Sequence, residues 1–383
     1  MSSLRQKIRS YVEANVLGKE RALDTFVDNP LATYSSFVDL GVANWWISKD
    51  FGGRGVSLED SVDLVDELSY GDAGLAFAYL ISIVPSTMIE LYGTPAQKAT
   101  YLRRMAEDGC FAATIASERA AGSELLKTQT TAVRAGDSYR ITGQKLFSTN
   151  AGFADHVALF VRTPNEDPDF KCLVIRRTTP GLRIVKRWYT LGLRSAATYE
   201  VALEDCLVPA DAALAPNGLR LLEAAMNPSR TLIACCAVGI ARRLRDLCLD
   251  YAKHKRFRDD HLNSSPVFAA KLGQMEMQIE AMRSVCKSAA REYDELRRSD
   301  EAGDRLLGAG MLKSVAVAKL FCGQVGWQIA SMASEMFGGL GYTEDSLVGK
   351  LLRDMRHVSI IEGGEDVMRE LLYFRHVLPK HAG

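Results

Sequence analysis

The most telling chemistry in this 383-residue chain sits near its end, where residues 360–367 read IIEGGEDV. Glu362 follows two isoleucines and precedes Gly363 and Gly364. A glycine inside a helix costs about 1 kcal/mol relative to alanine, so a pair needs a local reason. Two readings supply one. Glu362 is a helix-terminal acid with a glycine cap, or the chain is shaped to present one carboxylate to a ligand. Gly122 and Ser123, within ASERAAGSE (116–124), are read in two ways as well. They form an ordinary turn, or a place where glycine lets the backbone approach an anion and serine adds a donor. Phe147 and Thr149 lie in GQKLFSTN (143–150), which by itself reads as a strand with an inward aromatic. Arg230, in NPSRTLIACCAVG, suits a buried structural ion pair.

Other chemistries find little support. His254 and His261 are seven apart, and His357 and His376 stand alone, so no histidine ligand pair forms. The eight cysteines contain no C-x-x-C, and adjacent Cys235 and Cys236 do not make a metal pair. They read as reduced, mostly buried thiols of a cytoplasmic protein without a metal site. No G-x-G-x-x-G follows a strand, which argues against a nicotinamide fold. With 47 basic and 47 acidic side chains, a dedicated nucleic-acid binder is not expected. The start, MSSLRQKIRSYVEANVLG, lacks the apolar core of a signal peptide. The run AGLAFAYLISIVPSTMI holds Ser82, Pro85, Ser86 and Thr87 and is short for a membrane span. A buried core helix is the expectation.

Three regions must position these residues. Residues 1–110 look helical. In TPAQKATYLRRMAEDG, Thr94 caps, Pro95 suits the first turn, Gln97 completes a capping box and Gly109 stops the helix. From 111 to 215 the period becomes that of strands: Tyr199, Val201 and Leu203 alternate with polar or small neighbours. Residues 216–383 return to long helices, with Met275, Ile279, Met282 and Cys286 on one face and RRSDEAGDR as a polar break. The segments suit an antiparallel bundle, and the class is α+β.

This order and five motifs resemble the acyl-CoA dehydrogenase family. FGGRGVS (51–57) looks like its early glycine turn, and YGTPAQKATYL (92–102) like its helix entry. ASERAAGSE resembles T-E-P-x-A-G-S-D, and GQKLFSTN resembles N-G-x-K-x-W-I-T-N. FGGLGYTEDSLVGKLLRD (337–354), with Glu362 at the right distance after Asp354, resembles the closing signature. The resemblance covers nearly the whole chain. It implies an N-terminal helical domain, a central β-barrel-like domain and a C-terminal four-helix bundle around one FAD, in a homodimer or homotetramer. It also implies desaturation of an acyl thioester. Glu362 would take the α proton while the flavin N5 takes the β hydride, and the Glu362 amide would polarise the carbonyl. Ala116 and Ser117 would meet the flavin ring, Gly122 and Ser123 the pyrophosphate, Phe147 the flavin face and Thr149 a place near N5. Ser123, Asn227, Arg230 and Gly363 would adjoin the substrate.

The family pattern is broken at several places. Arg119 stands where the family has proline, costing that turn a rigid residue. The cross-subunit run reads KHKRFRDDHL, leaving Lys255 and Arg256 as its phosphate contacts. Glu335 replaces glutamine before Gly338 and Gly339, where a carboxylate would repel a phosphate. Gly364 and Asp366 replace threonine and glutamine near the cofactor. The S-E-R form of the first motif also makes an acyl carrier protein an option beside CoA. Electrons would pass to an electron-transfer flavoprotein or to oxygen. The alternatives are a flavin monooxygenase or oxidase of the same fold, or a non-catalytic partner subunit.

Overall fold

Local capping decides how the first region meets the second. The computed structural model describes residues 2–25, 31–167 and 169–378. Its helices begin with α1 (Ser2–Asn15), α2 (Glu20–Leu23), α3 (Leu31–Asp39), α4 (Leu58–Gly71), α5 (Ala73–Leu80), α6 (Ile83–Tyr92) and α7 (Pro95–Glu107). At α7 the Thr94 hydroxyl accepts from the Gln97 amide at 3.2 Å, and the Gln97 side chain accepts from Thr94 N at 2.8 Å. The chain then leaves through Gly109 at φ 65. The stretch Ala73–Tyr92 is long and apolar enough to cross a membrane, yet it is broken between α5 and α6 and buried inside the protein. It is a core segment, as its polar residues indicate.

The second region is one mixed sheet of β1 (Ala112–Ile115), β2 (Thr131–Ala135), β3 (Ser138–Thr149), β4 (His156–Arg162), β5 (Phe170–Arg176), β6 (Leu182–Arg187), β7 (Thr198–Pro209) and β8 (Ala213–Leu214). The order is β6-β7-β3-β2-β4-β5-β8, with β1 pairing β4 in parallel. The sheet wraps its own core, into which Tyr199, Val201 and Leu203 point. Val157, Leu159 and Val161 of β4 join that core, while Ala158 and Phe160 pack against the helices. Burial on both faces explains why HVALFVR reads as a nearly continuous apolar run. The β3–β7 register slips between Lys145 and Ser148, and this bulge puts Phe147 at φ 53.

The third region contains α8 (Gly218–His254), a hairpin of β9 (Arg256–Phe257) and β10 (Asp260–His261), α9 (Pro266–Arg297), α10 (Ala302–Ala309), α11 (Lys313–Phe337), α12 (Leu347–Met355) and α13 (Glu365–Leu372). Helices α8, α9 and α11 pack on one another, with the shorter α12 as fourth member and α4 lying across α8 and α9. Met275, Ile279, Met282 and Cys286 are fully buried on α9. The break after α9 is shorter than its polarity indicates: Ala302 and Leu306, four apart, bury one face of α10, and a second break follows at Gly310. Residues 379–383 of this region lie outside those described.

Candidate active site

The 3₁₀ turn Arg356–Ser359 follows α12, and the chain then runs through Ile360–Gly364 into α13. Glu362 therefore stands outside any helix. Its φ is +52 and that of Gly363 is +108. A left-handed conformation costs a non-glycine residue roughly 1–2 kcal/mol, so neighbours must hold it. Arg230 of α8 donates from Nε to the Glu362 carbonyl at 2.9 Å. Lys319 of α11 donates from Nζ to the carbonyls of Gly363 at 2.7 Å and Val358 at 3.1 Å. A Cβ on Gly363 would run into Met368 Cε. The glycine is thus required by its φ, while the neighbour is the flexible end of a methionine side chain.

The carboxylate itself accepts from Ser229 Oγ at 2.6 Å. Glu362 keeps one partly accessible side but is otherwise enclosed, and burial lifts its carboxyl above the usual range. The charges of Arg230 and Lys319 and the Ser229 bond pull the other way without cancelling that rise. Burial brings Lys319 down to about 8, with Arg230 adding to the fall. The Arg230 guanidinium is also lowered by burial, and its Nη1 has no hydrogen-bond partner among the described residues. The site therefore holds a proton acceptor with raised basicity and a buried donor free to meet a ligand. Ser229 and Lys319 were not singled out from the sequence. The signals were there: Ser229 directly precedes Arg230, and Lys319 interrupts the apolar run SVAVAKLFCG.

A second cluster lies at the end of β3. The exposed ring of Phe147 packs against Trp188 with centroids 4.9 Å apart. It projects outward at the bulge, so the plain strand with an inward aromatic does not hold here. Thr149 Oγ1 meets Thr198 Oγ1 at 2.9 Å. Ser117 joins the same edge because its carbonyl accepts from Leu146 N at 2.8 Å. The Ala116 carbonyl accepts from Lys145 Nζ at 2.9 Å. Lys145 also pairs with Glu118 at 2.7 Å, and both are buried. Burial works to raise the Glu118 carboxyl, but Lys145 and donors from Thr130 and Gln129 outweigh it and hold it low. The turn closes through Glu118 N to Ala121 O at 3.0 Å and Ala121 N to Glu118 O at 3.3 Å. Arg119 in place of proline therefore leaves the turn well held. Gly122 and Ser123 are exposed beyond it, and nothing lies within 4 Å of where a Gly122 Cβ would sit.

The two clusters are tied by the loop after β6. Leu193 N donates to Asp354 Oδ1 at 2.7 Å, and Arg353 Nη1 donates to Leu191 O at 2.9 Å. Lys350 bridges Asp354 at 2.5 Å and Asp72 at 2.7 Å, and Asp72 accepts from Ser195. All three ions are essentially buried. The arrangement clamps the first region, the sheet and α12 together, eight residues before Glu362.

Some expected residues have other partners. Asn227 is buried, with Nδ2 donating to Gly310 O at 2.7 Å and Ala224 O at 3.0 Å, while Oδ1 accepts from Leu312 N at 2.9 Å. Its amide braces the break before α11 instead of offering a free group to substrate. Glu335 is exposed and pairs with Lys271 at 3.6 Å. Lys255 and Arg256 lie exposed at the β9–β10 hairpin, and Gly338 and Gly339 are exposed after α11. Asp366 is almost fully exposed and pairs with Arg369 at 2.6 Å, and Gly364 serves as the N-cap of α13.

Three family models match in succession: the acyl-CoA dehydrogenase N-terminal domain over 2–109, the middle domain over 112–206 and the C-terminal domain over 216–376. The chain belongs to the acyl-CoA dehydrogenase family. It is 29% identical over 373 residues to a probable acyl-CoA dehydrogenase, YngJ, of Bacillus subtilis, covering 96% of this chain and 95% of that one. Bovine mitochondrial isobutyryl-CoA dehydrogenase is 29% identical over 346 residues, with 90% and 80% covered. The structure of butyryl-CoA dehydrogenase from Megasphaera elsdenii matches with a TM-score of 0.87 at 25% identity, covering 96% of each chain. This is an FAD-dependent enzyme family, and the residues present fit that group. The exposed Phe147 ring offers an aromatic face, Trp188 Nε1 and Thr190 Oγ1 are buried without a hydrogen-bond partner among the described residues, and Gly122 is open. Such a set of stacking surface and spare donors suits a flat heteroaromatic ring and its phosphates.

Proposed function

We propose that the protein desaturates an acyl thioester, with Glu362 as the base that takes the α proton. The observation that carries this reading is the Glu362 turn: one enclosed carboxylate of raised basicity, its strained backbone held by Arg230 and Lys319. A weakly acidic α proton needs such a base and a donor at the carbonyl where charge develops. The Glu362 amide is the candidate donor. FAD, held by Phe147, Thr149, Ser117, Gly122 and Ser123, supplies the two-electron acceptor for the β hydride. Arg230 fixes the turn and keeps Nη1 available to the bound thioester.

The names of the similar enzymes, isobutyryl-CoA dehydrogenase and butyryl-CoA dehydrogenase, support a short acyl-CoA as the first substrate to try. The S-E-R form at Ser117–Arg119 supports a carrier-protein thioester as the second arm. An electron-transfer flavoprotein or oxygen takes the electrons onward, and the working unit is a homodimer or homotetramer. A monooxygenase would not need the base, and a non-catalytic subunit would not need the free donors. The test is mass spectrometry of products from panels of acyl-CoAs and acyl-carrier proteins, with wild type and Glu362→Gln. Wild type should yield a product two mass units lighter. Glu362→Gln should keep its yellow colour and bind substrate while losing ~10²–10⁴-fold in rate. A Gln variant of near-normal rate refutes the assignment of the base.

A further inference from the structure

We propose that Lys319 is a positioning residue: its ammonium ties the two ends of the Glu362 turn together and keeps the base in its left-handed conformation. The inference rests on the reading of Glu362 as the base. Lys319 lies in the second turn of α11 and is 2% exposed. Among the described residues it forms no direct ion pair, and its two hydrogen bonds go to the carbonyls of Val358 and Gly363. A buried ammonium without a contacting counter-ion is costly to desolvate. A methionine or leucine would fill the same core space without that cost. What the lysine does that they cannot is join the residue four before Glu362 to the residue after it.

The arrangement is specific to the turn. Arg230 holds the Glu362 carbonyl and Lys319 holds that of Gly363, so successive peptide planes each meet a cation. The two residues between those bonds have φ of +52 and +108. Freed from Lys319, Gly363 has many conformations open to it, and a base displaced by about 1 Å can lose ~10²-fold in rate. The charge acts as well. Glu362 faces Arg230 and Ser229 from α8 and Lys319 from α11. Lys319 in turn faces Glu365 from α13 and lies near buried His357. Removing its charge takes away one of two cations that favour the Glu362 carboxylate.

The test uses FAD-loaded Lys319→Met, Lys319→Gln and Lys319→Arg. For Met, kcat should fall ~10–100-fold with KM changed far less. The acid limb of its rate profile should move to higher pH, and Lys319→Arg should recover part of both effects. Lys319→Gln should move the limb as Met does, because it keeps a donor without the charge. The proposal is overturned if Met keeps kcat within about twofold and its limb unmoved. It is overturned equally if Met loses FAD and cooperative unfolding and Arg restores neither, which marks a merely structural lysine. An active Glu362→Gln sinks the base assignment itself, whereas an inactive Glu362→Gln beside a normal Lys319→Met sinks this proposal alone.

Discussion

Replacing Ser229 by alanine removes the hydroxyl that donates to the Glu362 carboxylate at 2.6 Å. A hydrogen bond to a charged group contributes about 1.5–3 kcal/mol, and one pKa unit corresponds to about 1.36 kcal/mol. Losing the bond should therefore raise the Glu362 pKa by about 1–2 units. The sign follows from which form is bonded. Ser229 stabilises the carboxylate, burial already lifts the group, and removal of the donor adds to that lift. Because the carboxylate is the active form, the acid limb of kcat/KM should shift upward by the same interval, with the high-pH plateau much less affected. The measurement is kcat/KM against pH with an artificial electron acceptor, comparing wild type, Ser229→Ala and Ser229→Thr. Threonine keeps the hydroxyl and should keep the limb in place. A second readout comes from linkage. A carboxyl whose folded pKa is raised contributes stability that is present below its unfolded pKa and lost as pH rises through the folded value. Ser229→Ala should widen that window upward in urea titrations. An acid limb that stays put or moves down would refute the reasoning, because Ser229 would then not be bonding the catalytic charge.

Gly363→Ala should cost about 1–3 kcal/mol in stability, because alanine is strained at φ +108, and should lower kcat with it. Urea unfolding and steady-state kinetics check this. Adding Met368→Ala should not recover the loss, since the backbone strain remains and truncating a buried methionine opens a cavity. Lys350→Met leaves buried Asp72 and Asp354 without the cation between them and should destabilise the fold by about 3–5 kcal/mol. Chemical denaturation measures it, and a loss under about 1 kcal/mol would show that the clamp between the three regions carries little weight.

Much of the fold was legible because its signals are local. The Thr94–Gln97 capping box formed where the sequence placed it, as hydrogen bonds between residues three apart do not wait on tertiary contacts. The alternation of Tyr199, Val201 and Leu203 led correctly to one buried face of the sheet. The α10 helix was hidden in RRSDEAGDR because a polar, glycine-containing stretch becomes helical only when Ala302 and Leu306 find a surface to bury against.

The candidate site divides along the same line. By itself, the sequence determined that Glu362 is followed by two glycines that need a local reason, that Ser229 directly precedes Arg230, and that the family motifs occur in order. Only the tertiary structure decided that α8 and α11 bring Ser229, Arg230 and Lys319 to one carboxylate. It alone spent Asn227 on a backbone brace and turned Glu335 toward Lys271. A hydrogen bond across helices more than forty residues apart leaves no periodicity in the chain. Burial, which sets the basicity of Glu362, belongs to the packed protein and to none of its residues singly.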